Sequence, residues 1–256
     1  MLAAVMSRFF HPELLKPLDS GELLLEGSEA HHALHVLRVK TGQQIVLFDG
    51  HGNSATAEVI RPGRKDVGLR IVSGIQHSSP PALQLTLLVA TPKGDRLDWM
   101  VEKLTELGVS RFVPLITQRS VVDPRESKLE RLRQTVISAC KQSHRDWLME
   151  IEEPARLTDW LNRKDHPTQW FGSLQAPLVA RKASNDSQPI ASANSRMPLE
   201  NTSLAILIGP EGGWTSEEES QLMTSGARPV RLGQFVLRTE TAAIALTSLA
   251  LNEFSL

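Results

Sequence analysis

The sequence predicts an α/β protein in which a small β-rich domain precedes a larger domain built on a parallel sheet. Three observations carry this. Residues 1 to about 74 contain short runs of alternating apolar and polar character separated by turn signals, the pattern of half-buried strands. From Leu83 onward, longer apolar runs alternate with helix-period segments, as in βαβ units. Between the two, "GIQHSSPPA" (74–82) holds Pro80-Pro81, which continue neither a helix nor a central strand. The expected domains are therefore 1–74 and 83–256.

In the first domain the strands are "QQIVLFDG", "SATAEVI" and "DVGLRIV", with turns at "DGHGN" and "RPGRKD". One helix-like insert, "SEAHHALHVLRV", begins at Ser28 as its expected cap. In the second, "LQLTLLVA" reads as a strand buried on both faces. "RLDWMVEKLTELG" follows as a helix with Leu97, Met100, Val101, Leu104 and Leu107 on one face, ended by Gly108. "RFVPLI" is a strand, and a long helix runs from about Glu126 to His144. "QWFG" and "LAILIG" are strands, "SEEESQLMTSG" a helix, "RPVRLG" a strand and "ETAAIALTSLALNEF" the closing helix. The polar stretch 184–203, "SNDSQPIASANSRMPLENTS", is expected to be a mobile insertion. No internal repeat is visible.

Composition narrows the function classes. A formal net charge of −1 means that any nucleic-acid contact must come from a local basic patch. Cys140 is the only cysteine, so no internal disulfide forms. Its place in "LERLRQTVISACKQS" suits a small core residue, and a reducing cytoplasm is the expected location. No apolar run reaches the length of a membrane span, and "MLAAVMSRFF" is too short for a signal segment. His31 and His35 have metal-ligand spacing on a helix, but no third ligand stands near them in sequence, so no metal is expected.

Two stretches carry chemistry. In "LIGPEGGWTSEEES" (207–220) a strand ends in three glycines around Pro210 and Glu211. A glycine-rich turn before a helix suits phosphate, yet no Gly-Lys-Ser/Thr follows and no Lys or Arg appears before Arg228, so a Walker-type nucleotide site is excluded. Thr215 with Glu218, and Ser216 with Glu219, read as helix-start chemistry. The glycines fit either a plain tight turn or close backbone approach to a flat ligand at a strand's carboxyl end. In "VRLGQFVLRTETAAIALTSLAL" (230–251), Thr239 or Thr241 caps a helix, and Arg238 with Glu240 forms either a surface pair or part of a site. Basic residues are dense between 91 and 147: Lys93, Arg96, Arg119, Arg125, Lys128, Arg131, Arg133, Lys141 and Arg145. A solvated helix face accounts for most of them.

Together, "RFFHPE", "HVLRVKTGQ", "LFDG", "PKGDRLDWMVEKLTELGV", "IGPEGGWTSEE" and "LGQFVLRTETAAIAL" cover nearly the whole chain in order, and the chain resembles the SPOUT-class RsmE family, which methylates N3 of a uridine in small-subunit (16S) ribosomal RNA. The resemblance implies a PUA-like β-barrel, a trefoil-knotted α/β domain, a homodimer and S-adenosylmethionine as cofactor; the knot rests on it alone. It implies that Gly209, Gly212 and Gly213 contact adenine or ribose, that Leu232 and Leu237 wall the cofactor, and that Thr241 and Ala242 close the bend. Transfer to uracil N3 requires in-line approach and loss of an imide proton. Arg238 is accordingly expected to stabilise the uracil oxyanion, and Glu240 to orient Arg238 or take the proton. Arg38, Lys93, Arg96, Arg119 and Arg145 are the expected RNA contacts. The partners the resemblance implies are 16S rRNA, within the small ribosomal subunit, and a second copy of the chain, with no membrane and no metal expected. The rivals are 2′-O-ribose methylation on the same fold and a non-catalytic RNA-binding protein. The chain departs from the family at His35 and Phe235, where a basic residue is usual, and at "SHRDWLMEI", which replaces a Ser-Gly-Arg stretch.

Overall fold

The structure is a computed structural model describing residues 6–16, 22–120, 126–163, 168–177 and 202–254. The chain divides into two compact units, one of residues 1–80 with 137–148, the other of residues 81–136 with 149–256. Arg125 and residues 184–201 of the polar insertion lie outside the described residues.

In the first unit, β1 (Arg8–Phe10), β2 (Glu22–Leu25), β3 (Gln44–Phe48), β4 (Asn53–Pro62) and β5 (Val67–Ile71) form a mixed sheet in the order β1-β3-β4-β5-β2, with β6 (Gln76–His77) paired to β4. Among the described strands of this sheet only β1 and β3 run parallel. Alternation places Phe9, Leu23, Leu25, Ile45, Leu47, Ala57, Val59 and Leu69 in one core. The helix expected from Ser28 differs at both ends. α1 (Gly27–His31) starts after Glu26 with no side-chain cap, and a π-helical turn, His32–Val36, continues it to its C-cap at Leu37, with Arg38 beyond at φ 51°. Residues Ile137–Leu148 belong to this unit, although periodicity alone runs them into the second domain. They are tied in by specific polar contacts: Asp146 pairs with Arg8, the Gly52 N–H donates to the Asp146 carbonyl at 3.0 Å, and Lys141 Nζ meets Glu29 Oε1 at 2.8 Å.

In the second unit the described strands pair in parallel throughout. These are β7 (Leu83–Val89), β8 (Arg111–Ile116), β9 (Glu150–Ile151), β10 (Ala155–Arg156), β11 (Thr168–Gly172), β12 (Thr202–Ile208) and β13 (Arg228–Val230), in the order β10-β8-β7-β12-β11-β13 with β9 on β8. β12 begins at Thr202, inside the stretch assigned to the insertion. The helices are α2 (Arg96–Glu106), α3 (Glu126–Ser143), α4 (Leu157–Leu161), α5 (Ser216–Thr224) and α6 (Thr239–Phe254). α3 starts in this unit and ends in the first. α2 buries Leu97, Met100, Val101 and Leu104, with Leu107 as its C-cap and Gly108 at φ 87° beyond. α6 packs on α2 and lies against β7 and β12. No helix among the described residues is long and apolar enough to cross a membrane.

Candidate active site

Strand order decides where a ligand can sit. β12, β11 and β13 are adjacent and parallel, so the chain leaves all three at one carboxyl edge, where open α/β sheets bind ligands. There a cavity of about 350 Å³ is lined by Gly172 to Gln175 after β11, Ile208 to Trp214 after β12, and Val230 to Leu232 with Phe235 to Leu237 after β13, with Thr239, Ala242 and Leu246 of α6.

The loop after β12 is built from its residues outward. Thr215 caps α5: its hydroxyl accepts from the Glu218 N–H at 3.2 Å, and Glu218 Oε2 accepts from the Thr215 N–H at 2.9 Å, a complete capping box. The other oxygen of Glu218 accepts the Gln118 N–H at 2.8 Å, fastening the buried carboxylate to the β8 connection. Trp214 then folds back: its Nε1 donates to the Gly172 carbonyl at 2.8 Å, and its ring covers Gly209, where a Cβ would stand 2.9 Å from Cε2. Gly213 has φ 70° and donates its N–H to Pro210. The Arg119 Nη1 donates to the carbonyls of Gly212 at 2.7 Å and Trp214 at 3.3 Å.

Of the sequence-expected cofactor residues, Gly209, Gly212, Gly213, Leu232, Leu237 and Ala242 line this cavity, whereas Thr241 does not. Thr241 instead shares a shallow second depression with Asp95, Arg96, Trp99, Arg238 and Glu240. The start of α6 is the wall between the two, and Thr239 Oγ1 bonds the Gly209 carbonyl at 3.4 Å. The expected Arg238–Glu240 pair is not the one formed. Glu240 is 6 % exposed and its Oε1 lies 3.7 Å from Arg96 Nη1, which stands 3.7 Å from Glu211 Oε1 as well, while Arg238 is exposed. Arg238 precedes α6 and lines the same depression as Glu240, but the ion pair described for Glu240 is with Arg96.

Sequence reasoning missed Ser173 and Glu219. Glu219 is not the cap partner of Ser216: it accepts the Ser173 hydroxyl at 3.0 Å and lines the cavity. Its signal was available, since Thr215 and Glu218 already complete the cap. Glu211 and Glu219 are the acidic lining residues, and Arg231 is the cationic one.

The basic residues separate by partner. Lys128 and Arg131 pair with Asp98, and Arg133 pairs with Glu126, Glu130 and Glu153. Arg119 holds the glycine loop and Arg96 two carboxylates. Arg145 is partly buried in the first unit, and burial lowers its pKa from the ordinary arginine value. Arg38 and Lys93 are exposed. Cys140 is buried. The His31 and His35 rings lie 4.6 Å apart, and no group of three potential ligands surrounds them among the described residues.

Comparison with known proteins places the chain in a class and then in a family. Residues 79–251 match the RNA methyltransferase domain, and residues 25–72 match the RNA methyltransferase PUA domain, which makes the first unit PUA-like. The chain is 32% identical to the ribosomal RNA small subunit methyltransferase E of Mycobacterium bovis over 88% of its length and 84% of the relative. It is 31% identical to that of Synechocystis sp. over 85% and 69%. A crystal structure of the Neisseria gonorrhoeae enzyme of this name, bound to S-adenosyl methionine, is 30% identical and superimposes with a TM-score of 0.79 over 96% of this chain and 97% of that one. The chain belongs to the ribosomal RNA small subunit methyltransferase E family.

Proposed function

We propose that the protein methylates N3 of a uridine in 16S rRNA of the small ribosomal subunit, in the cytoplasm and as a homodimer, using S-adenosylmethionine held in a trefoil-knotted second domain. The observation that carries this is the cavity at the β12-β11-β13 edge. Its volume of about 350 Å³ suits a small cofactor, and its charged lining of two carboxylates and one guanidinium complements a ligand with two cationic groups and one carboxylate. Leu232, Leu237 and Ala242 supply apolar walls, and at Gly213 a Cβ would meet nothing within 4 Å, leaving open space beside the backbone. When bound, the cofactor supplies an electrophilic methyl carbon.

The chain's own residues prepare the acceptor. Arg238, exposed in the second depression, stabilises the oxyanion that appears as uracil loses its N3 proton. Glu240, buried against Arg96, holds that guanidinium beside the depression and is the nearby carboxylate for the proton. Arg38 and Lys93, exposed and without a described ion pair, contact RNA, as does Arg145; Arg96 and Arg119 serve RNA through the structures they hold. Exposed Phe235 and Val236, with Trp99 beside the second depression, support burial against a second copy.

The test is incubation with methyl-labelled cofactor and either small subunits or naked 16S rRNA, followed by digestion and identification of the labelled nucleoside. Label in N3-methyluridine is expected. Label in a 2′-O-methylated nucleoside, or none with either substrate, overturns the assignment.

A further inference from the structure

One carboxylate of the cavity, Glu211, is paired with an arginine that also serves the second depression. Arg96, the first residue of α2, places a single nitrogen, Nη1, 3.7 Å from Glu211 Oε1 and 3.7 Å from Glu240 Oε1. Both separations are ion-pair distances and neither is a hydrogen bond, so the guanidinium is divided between two anions and locked to neither. The two anions differ in their surroundings. Glu211 lines the cavity with its side chain 44 % exposed, whereas Glu240 lines the second depression, is buried, and leaves its Oε2 without a hydrogen-bond partner. A buried carboxylate with an unsatisfied oxygen gains from any further share of a neighbouring positive charge.

We infer that Glu211 senses the charge on the ligand's sulfur and that Arg96 relays it to Glu240. The inference rests on the S-adenosylmethionine reading of the cavity. A cation entering beside Glu211 competes with Arg96 for that carboxylate, and the guanidinium then turns wholly to Glu240, beside Arg238. Methyl transfer converts the sulfonium into an uncharged thioether as the methyl carbon leaves sulfur for the acceptor nitrogen. Glu211 then loses its ligand partner and recovers Arg96. The protein accordingly holds the charged cofactor in preference to the demethylated product, and the arginine charge stands nearest Glu240 only while a transferable methyl is present. In this scheme Glu211 pairs with the cofactor, and Arg96 is a positioning residue that acts through the two carboxylates.

Isothermal titration of the full-length wild type and of Glu211→Gln, each with S-adenosylmethionine, S-adenosylhomocysteine and sinefungin, tests this, because sinefungin carries an amine cation in place of the sulfonium. Glu211→Gln should weaken S-adenosylmethionine and sinefungin by on the order of fivefold, the scale of one charge pair at a wetted distance, and leave S-adenosylhomocysteine unchanged. The difference should shrink as salt is raised. Glu211→Asp, which keeps the charge, should restore most of the preference, a result that a purely structural role for the side chain does not give. Equal weakening of all three compounds by Glu211→Gln, or weakening of none, overturns the inference while leaving the cofactor reading intact. A wild type that binds none of the three overturns the cofactor reading and the inference with it.

Discussion

Gly209→Ala tests the packing logic of the loop most directly. A methyl group there would stand 2.9 Å from Trp214 Cε2, closer than real Cβ atoms come, and a tight 3.1 Å from Cδ2 and 3.2 Å from Nε1. The indole cannot retreat freely, because Nε1 donates to the Gly172 carbonyl at 2.8 Å and the ring meets Phe171 edge-on at 6.4 Å. Overpacking of this kind costs about 1–3 kcal/mol. The lower entropy of an alanine in the unfolded chain returns about 0.4–1 kcal/mol, since Gly209 is not in the left-handed region. A net loss of about 1–2 kcal/mol should lower the melting temperature of the second unit by roughly 2–8 °C in calorimetry. Cofactor affinity should fall as well, because Gly209 and Trp214 both line the cavity.

The control separates crowding from backbone strain. Gly213→Ala meets no atom within 4 Å but places a side chain at φ 70°, so it should destabilise by about 1–2 kcal/mol through strain alone. Trp214→Phe removes the fused-ring atoms that crowd Gly209. In a double-mutant cycle it should recover about 1 kcal/mol of the Gly209→Ala loss and none of the Gly213→Ala loss. Additive energies for the Gly209–Trp214 pair would refute the steric account.

Four further outcomes are expected. Arg238→Ala should slow methylation on the order of a hundredfold with cofactor affinity unmoved, read from single-turnover rates and titration; an unchanged rate removes Arg238 from catalysis. Glu218→Gln should cost about 1–3 kcal/mol, because the buried carboxylate accepts two N–H groups and an amide offers only one acceptor oxygen, more than the roughly 1 kcal/mol of Thr215→Ala; chemical denaturation compares them. Burial holds the His11 and His32 imidazoles below their ordinary pKa, so the unfolded chain binds protons first. First-unit stability should be full above about pH 6.5 and decline as pH falls towards the folded-state pKa, and a flat melting profile from pH 7 to 5 would contradict this. Light scattering at micromolar concentration should give twice the mass of the chain, and the mass of one chain would exclude the dimer.

The strands from Leu83 onward were legible because a parallel sheet covered on both faces demands unbroken apolar runs, and "LQLTLLVA", "RFVPLI" and "LAILIG" are such runs. The Thr215–Glu218 cap was legible for a similarly local reason. What escaped the sequence is what depends on strand order. Ser173 has no motif around it, and it reaches the cavity only because β11 lies between β12 and β13. Arg96 and Glu240 come from distant stretches, and only the packing of α2 on α6 brings them together. The last part of α3 keeps the same apolar period after it leaves one unit for the other, so periodicity carries no mark of the change. Arg8 and Asp146, which help to hold that segment, look like ordinary surface charges in sequence.

The segment "RTETA" shows why nearness in sequence misleads about nearness in a site. A helix turns its side chains through about 100° per residue, so its contiguous residues cannot all face one ligand. In α6, Thr239, Ala242 and Leu246 follow the three- and four-residue spacing of one face and line the cavity, while Glu240 and Thr241 turn with Arg238 to the other depression. One helix start therefore divides two tasks that a motif presents as one. Substitutions at Thr239 or Ala242 should then act on ligand affinity, and those at Arg238 or Glu240 on rate. Arg96, reaching both Glu211 and Glu240 from α2, is the residue whose substitution should alter both together.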